Sequence, residues 1–237
     1  MPRLLHIPEC SSTNDEIIHL LNPPLRQGEI LALYTLRQKR GKGQYGNTWQ
    51  SQEDQNIAMS FAVNPQTFSH NLSLINYYTA VILRDFIANL TDVQPDIKWP
   101  NDIILKHKKI CGILLEQKHQ HLIIGIGINV LQDDFQDITK AGSLYTQTQQ
   151  KYNPHQLATA FFEFFSRCIS ETTSQEAILA DFNKHLYKKG QVAVFEKNGI
   201  RQNGIIQQAD ENGYLWIQLE NAPELQAFYH KEISLLY

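Results

Sequence analysis

Apolar residues recur along this chain in two rhythms, every second position or every third to fourth, and the switches between them outline its elements. Leu4 to Ile7 reads as a short edge strand. Ser12 or Thr13 then caps a helix whose first turn carries Asp15 and Glu16, acids that favour the positive end of the dipole. Ile17, Ile18, Leu20 and Leu21 continue that helix until Pro23-Pro24 stops it. Glu29 to Leu36 and Asn56 to Val63 are strands, and Leu72 to Leu90 repeats at helical spacing through Ile75, Thr79, Ile82 and Phe86. Four short strands follow, Ile97–Trp99, Ile103–Leu105, Ile110–Glu116 and Leu122–Val130, joined by turns at His107-Lys108 and Lys118-His119-Gln120 that are short enough for antiparallel hairpins. Helices are predicted near Pro154–Ser170 and Ser174–Tyr187. Beyond Gly190 only short strands remain, with turn signals at Asn198-Gly199 and Asn212-Gly213, a pattern that suits a small β-barrel. The predicted class is α+β: a mixed, mostly antiparallel sheet with flanking helices over residues 1–188, and the barrel over 189–237.

Composition narrows the function without naming it. The 237 residues are 42% hydrophobic and 19% charged, as in an ordinary globular protein, and no window approaches the apolar length of a membrane span. The stretch before Ser11-Ser12 is too short and polar for a secretory leader. Cys10, Cys111 and Cys168 are odd in number and lack metal-ligand spacing, so reduced thiols in a cytoplasm are expected. A net charge of −3 gives no electrostatic footprint for nucleic acid.

Two segments carry the candidate chemistry. Gly41-Lys42-Gly43-Gln44-Tyr45-Gly46-Asn47-Thr48-Trp49 places three glycines around a cation, which reads equally as backbone wrapped on an anion or as a flexible hairpin tip. Its spacing is not that of a P-loop. Lys98-Trp99-Pro100-Asn101-Asp102 must bend at a sheet edge because Pro100 cannot donate within a ladder. It reads either as a solvated ion pair or as a turn aiming Asn101 and Asp102 at a metal–phosphate group, oxygens that suit Mg²⁺. In Lys109-Ile110-Cys111-Gly112-Ile113-Leu114-Leu115-Glu116, Lys109 is the member of its basic run placed to turn inward, while Lys106 and Lys108 are expected in solvent. Cys111 reads as a small buried residue. Gly112, and the alternation Gly125-Ile126-Gly127-Ile128-Asn129, clear a strand face for a flat ligand or for tight helix packing. Asp133, Asp134, Asp137 and Glu163 form no catalytic pair, and no nucleophile with its base is signalled.

In this order these segments, with Ser12-Thr13-Asn14 and Gln38 upstream, resemble the biotin protein ligases over nearly the whole chain. The resemblance implies a biotin/lipoate-ligase-like catalytic fold related to class II synthetases and an SH3-like C-terminal barrel. It also implies a biotin–[acetyl-CoA-carboxylase] ligase activity, in which biotin and ATP give biotinyl-5′-AMP and a lysine of a biotin carboxyl carrier domain then takes the biotinyl group. Carried over by position, Ser12, Thr13 and Gln38 would hydrogen-bond the ureido ring, and Gly41, Gly112 and Gly127 would border the biotin pocket. Lys42 and Lys109 would hold carboxylate and phosphate oxygens as the catalytic cations. Gly43, Gln44, Trp49, Asn101 and Asn129 would serve the adenylate, and Asp102 the Mg²⁺. The segment 133–142 would close over the adenylate.

One departure stands out: many members read Gly-Arg-Gly-Arg where this chain has Gly41-Lys42-Gly43-Gln44, so Gln44 is neutral where a second guanidinium is usual. The expected consequence is looser retention of the adenylate, or compensation by Lys42 and Lys109. Members that double as repressors carry a DNA-binding domain ahead of the catalytic motif, whereas here Ser12 already belongs to that motif, so the expectation is a monofunctional ligase. Members dock carriers by extending a sheet edge, and some form homodimers through the same edge. The rivals are a lipoate ligase or octanoyltransferase of the same fold, and a catalytically weak biotin-binding module.

Overall fold

The computed structural model describes residues 2–136, 138–171 and 173–237, so Asp137 lies outside the described residues. The strands are β1 (Arg3–His6), β2 (Ile30–Thr35), β3 (Gly41–Lys42), β4 (Thr48–Trp49), β5 (Asn56–Val63), β6 (Asp96–Lys98), β7 (Asp102–Leu105), β8 (Lys108–Lys118) and β9 (His121–Asn129). Beyond them come β10 (Val192–Lys197), β11 (Ile200–Ala209), β12 (Leu215–Leu219), β13 (Gln226–Phe228) and β14 (Ser234–Leu236). The helices are α1 (Thr13–Glu16), α2 (Leu72–Leu90), α3 (Leu144–Thr148), α4 (Pro154–Ser170) and α5 (Gln175–Lys184).

Seven strands form one sheet in the order β1-β2-β5-β9-β8-β7-β6, mixed because β1 runs parallel to β2 while every other pair is antiparallel. The predicted hairpins between β7, β8 and β9 are present, and the register follows the glycine pattern. Thr35, Ala58, Gly127, Gly112, Asp102 and Lys98 are direct partners across six successive strands. Paired residues project to the same face, so this row is a trough of small side chains that ends in a charged pair.

The other face is closed by helices. α2, capped by the Asn71 side chain on the Leu74 N–H, buries Tyr77, Leu83 and Ile87, and α4 buries Phe161 and Phe165 against Phe61. The C-terminal strands form a five-stranded antiparallel sheet, β13-β12-β11-β10-β14, with a register shift at Ile206/Gln208. Its Phe195, Ile206 and Ile217 belong to the same apolar cluster as the large sheet, and Asn183 of α5 bonds both backbone groups of Ala209.

Two elements differ from expectation. The first helix is a single α-turn continued as a 3₁₀ turn over Ile17–Leu20, because the close Pro23-Pro24 stop leaves no length for regular helix. The helix α3 has no apolar periodicity to announce it and is held by a reciprocal capping box of Ser143 and Thr146.

Candidate active site

The trough is the floor of a cavity of about 250 Å³ between the sheet, α1 and the β3–β4 hairpin. Close approach explains its glycines. A methyl added at Gly127 would lie 2.4 Å from Cε2 of Trp49, and one at Gly112 would lie 3.0 Å from its Cζ3. A methyl at Gly125 would meet Oδ1 of Asn14 at 2.4 Å. Trp49, expected to serve the adenylate, therefore has its indole on the glycine floor, with its N–H buried and unpartnered.

One end of the cavity is a hydrogen-bonded polar cluster. The Gln38 side-chain oxygen accepts from the Thr13 amide at 2.8 Å and from its hydroxyl at 3.2 Å. Ser60 donates toward Thr13 and Asn14, and Asn14 donates to Glu116 at 2.7 Å. Ser12 caps α1 through its carbonyl, which accepts from Asp15 and Glu16, and its buried hydroxyl makes no capping bond. Sequence reasoning missed Ser60; a hydroxyl inside an otherwise apolar strand was the available signal.

The other end is cationic. Asp102 lies 2.6 Å from Lys109 and 3.9 Å from Lys98, and Lys109 stands 5.6 Å from the Trp49 ring centroid. Lys109 thus turns inward as expected. Lys98 is the less solvated of the two, and burial, working against the nearby Asp102, pulls its ammonium below the ordinary range. Lys106 and Lys108 are not simply in solvent: they donate to the Gln147 and Thr139 carbonyls. The backbone of Lys109 bonds to Lys140 and Gly142, which fastens that segment beside the site.

Several expected ligand contacts are occupied by the protein itself. The ammonium of Lys42 is 2.6 Å from Asp15, which also binds Lys118 at 2.7 Å. Burial works to raise the Asp15 carboxyl, but the hydrogen bonds from Lys118 and Lys42 prevail and hold it below its ordinary value. The Gly43 amide donates to Asn47 at 2.7 Å, closing the hairpin instead of facing an anion. The Asn101 amide braces the Ile113 carbonyl at 2.6 Å. Asn129 donates to Gly142 at 2.9 Å, leaving its side-chain oxygen buried without a partner. Gln44 lines the cavity, and Gly41 is packed under the Trp49 carbonyl and Gln38.

The residues around Asp102 do not fit a protein-held Mg²⁺. Its carboxylate is shared between two lysines, and the described residues contain no cluster of three His, Cys, Asp or Glu groups. Cys111 is fully buried, and burial pushes its thiol up, so it offers no thiolate. Taken together, a polar recognition end, a flat floor and a cationic end can hold a flat amide-like ring whose acidic tail reaches the lysines.

Comparison with known proteins agrees with this construction. Over 144 residues the chain is 35% identical to the bifunctional ligase/repressor BirA of Bacillus spizizenii, covering 58% of this chain and 44% of that protein. It therefore spans less than half the length of that relative. It is 26% identical over 198 residues to the biotin–[acetyl-CoA-carboxylase] ligase of Mycobacterium tuberculosis, covering 80% and 73% respectively. The fold superposes on biotin protein ligase from Aquifex aeolicus in complex with biotin and ATP with a TM-score of 0.81 at 24% identity, over 99% of this chain and 98% of that one. The sequence model of the biotin/lipoate A/B protein ligase family matches residues 11–129, half of the chain and all of the trough, and the chain belongs to that family.

Proposed function

We propose that this protein is a biotin ligase that activates biotin with MgATP and transfers it to a lysine of a biotin carrier domain. The observation that carries the reading is the single cleft with a hydrogen-bonding end at Thr13 and Gln38, a side-chain-free floor at Gly112 and Gly127, and a cationic end at Lys98 and Lys109. Ser12, Thr13 and Gln38 bind the ureido ring, which offers both donors and acceptors to match theirs. The thiophane ring and valeryl chain lie along the glycine floor, with Trp49 lifting or sliding to cover them.

The biotin carboxylate oxygen attacks the α-phosphorus of the nucleotide, the bond to the bridging oxygen breaks, and pyrophosphate leaves. Lys109 leaves Asp102 to stabilise charge growing on the α-phosphate, a contact worth ~3–4 kcal/mol. Lys42 follows if Asp15 releases it, and Lys118 remains to neutralise that carboxylate. Asn129 and the Trp49 indole, each with a buried atom lacking a partner, gain one from the adenylate. Gly43, Gln44 and Asn101 border the nucleotide. The acceptor amine then attacks the acyl carbon, AMP leaves with the electron pair of the broken bond, and an amide forms. Residues 1–188 form the catalytic unit and 189–237 a C-terminal domain in this reading.

The buried Cys111 weighs against octanoyl transfer through a cysteine. The test is transfer of labelled biotin to a purified carrier domain with MgATP present or omitted, alongside lipoate. Label that requires MgATP and is not replaced by lipoate supports the proposal. Transfer of lipoate in preference to biotin overturns it.

A further inference from the structure

A relay of rings runs from the helical core to the tip of the β3–β4 hairpin and has no part in the chemistry assigned above. Phe182 of α5 stacks on Tyr77 of α2 with centroids 3.9 Å apart. The Tyr77 hydroxyl accepts from the Trp99 indole N–H at 3.1 Å, and the Trp99 ring lies 5.6 Å from His230. His230, in the segment between β13 and β14, lies flat on Tyr45 with centroids 4.9 Å apart and planes 16° from parallel. Its neighbour Lys231 places its ammonium 4.6 Å over the same Tyr45 ring and donates to the Tyr45 carbonyl at 3.3 Å.

The hairpin needs such a support. Its base is fixed by pairing of Gly41 with Trp49 and Lys42 with Thr48, and by the Gly43–Asn47 bond. For the tip, Gln44 to Gly46, the Lys231 contact is the only hydrogen bond from outside the hairpin among the described residues. Tyr45 also holds left-handed backbone at φ 55°, a conformation costly for any side-chain-bearing residue, directly before Gly46. A tyrosine there is explained by its ring, which finds both a flat partner and a cation on the C-terminal segment.

The geometry points to His230 and Lys231 as positioning residues: they clamp the hairpin through Tyr45, which does not itself line the cavity, and so set Gln44 at the wall that also carries Lys98, Asp102, Lys109 and His230. This deepens the ligase reading and rests on it. Because the clamp acts at the cationic end, it governs the nucleotide and leaves the Thr13–Gln38 end untouched.

The test compares Tyr45→Ala, His230→Ala, His230→Phe and the Tyr45→Ala/His230→Ala pair in two assays. In biotin-dependent pyrophosphate exchange, each alanine variant raises KM for ATP by roughly tenfold, the scale of one lost aromatic stack. The kcat and biotin affinity stay near wild type, His230→Phe restores KM, and the double variant is no worse than Tyr45→Ala alone, because that change already removes both the stack on His230 and the Lys231 cation from the ring. In hydrogen exchange on the ligand-free protein, amides of 41–49 exchange faster in the alanine variants while those of β8 and β9 do not change. Unaltered amide exchange overturns the clamp. Faster amide exchange with unaltered KM for ATP overturns its positioning role. A wild-type protein without biotin-dependent exchange activity, but with the same amide response, overturns the ligase reading and with it the link to nucleotide.

Discussion

The two ends of the cleft are built on opposite terms. At the Thr13 end the polar groups bond to one another: Gln38 to Thr13, Ser60 to Thr13 and Asn14, Asn14 to Glu116. At the Lys109 end the charge is held in a pair that a ligand can replace, Lys109 on Asp102, and the nearby Trp49 N–H is buried with no partner. Buried polar groups are nearly always satisfied, so an unpartnered indole N–H on a residue of the cavity wall is a place where a ligand can supply what the protein lacks. A network bonded within itself holds its shape before binding and loses little freedom on doing so. Under the proposed function, the Thr13 end is a template and the cationic end is assembled around the reacting groups.

Breaking the cationic end should cost most. Lys109→Ala is expected to lower kcat/KM for adenylation by ~10²–10³, as loss of one charge-stabilising contact does, with biotin binding weakened far less because Thr13 and Gln38 still hold its ring; initial rates of pyrophosphate release and a biotin titration check both halves. Gly125→Ala attacks the template instead. Its methyl would meet Asn14 at 2.4 Å and push it off Ser60 and Glu116, for a loss of ~1–3 kcal/mol of stability measured by chemical denaturation. Gln44→Arg sharpens the contrast by adding a fixed cation where the protein has none, and is expected to slow adenylate release about tenfold, the worth of one charged hydrogen bond. Release is followed by chase with unlabelled biotin.

The smallest effect comes from outside the cleft. His121 accepts the Leu25 N–H at 3.1 Å in a second apolar cluster, and burial, with His119 adding to it, holds the ring below its ordinary value of 6.5. Its folded-state value is depressed, so its contribution to stability is complete above pH 6.5 and is lost as pH falls from there through the folded value. The slope for one group is at most ~1.4 kcal/mol per pH unit. His121→Gln, which keeps an acceptor for Leu25, should lose less stability on acidification; denaturation midpoints at neutral and mildly acidic pH decide it.

Much of this contrast was legible in the sequence. The strands carrying Gly112 and Gly127, the hairpins between them and the inward turn of Lys109 followed from alternation and short turns. The alignment of six small or charged residues in one row was not legible, because it depends on register between strands and on a bulge at Ile103/Ile104. Nor was the capture of Lys42 by Asp15, or the folding of Trp49 onto glycines far along the chain, since both join residues whose local patterns carry no sign of each other. The parallel pairing of β1 was hidden for the same reason. Ser60 left one signal, a lone hydroxyl in an otherwise apolar strand, but its partners Thr13 and Asn14 lie more than forty residues away and nothing local points to them.

The most direct test of the account is exchange of labelled pyrophosphate into ATP, run with and without biotin on the wild-type protein and on Lys109→Ala. The account predicts exchange only when biotin is present, and its near-complete loss in Lys109→Ala although that variant still binds biotin. Exchange that proceeds without biotin, or that survives in Lys109→Ala, would contradict the division of the cleft into a recognising end and a reacting end.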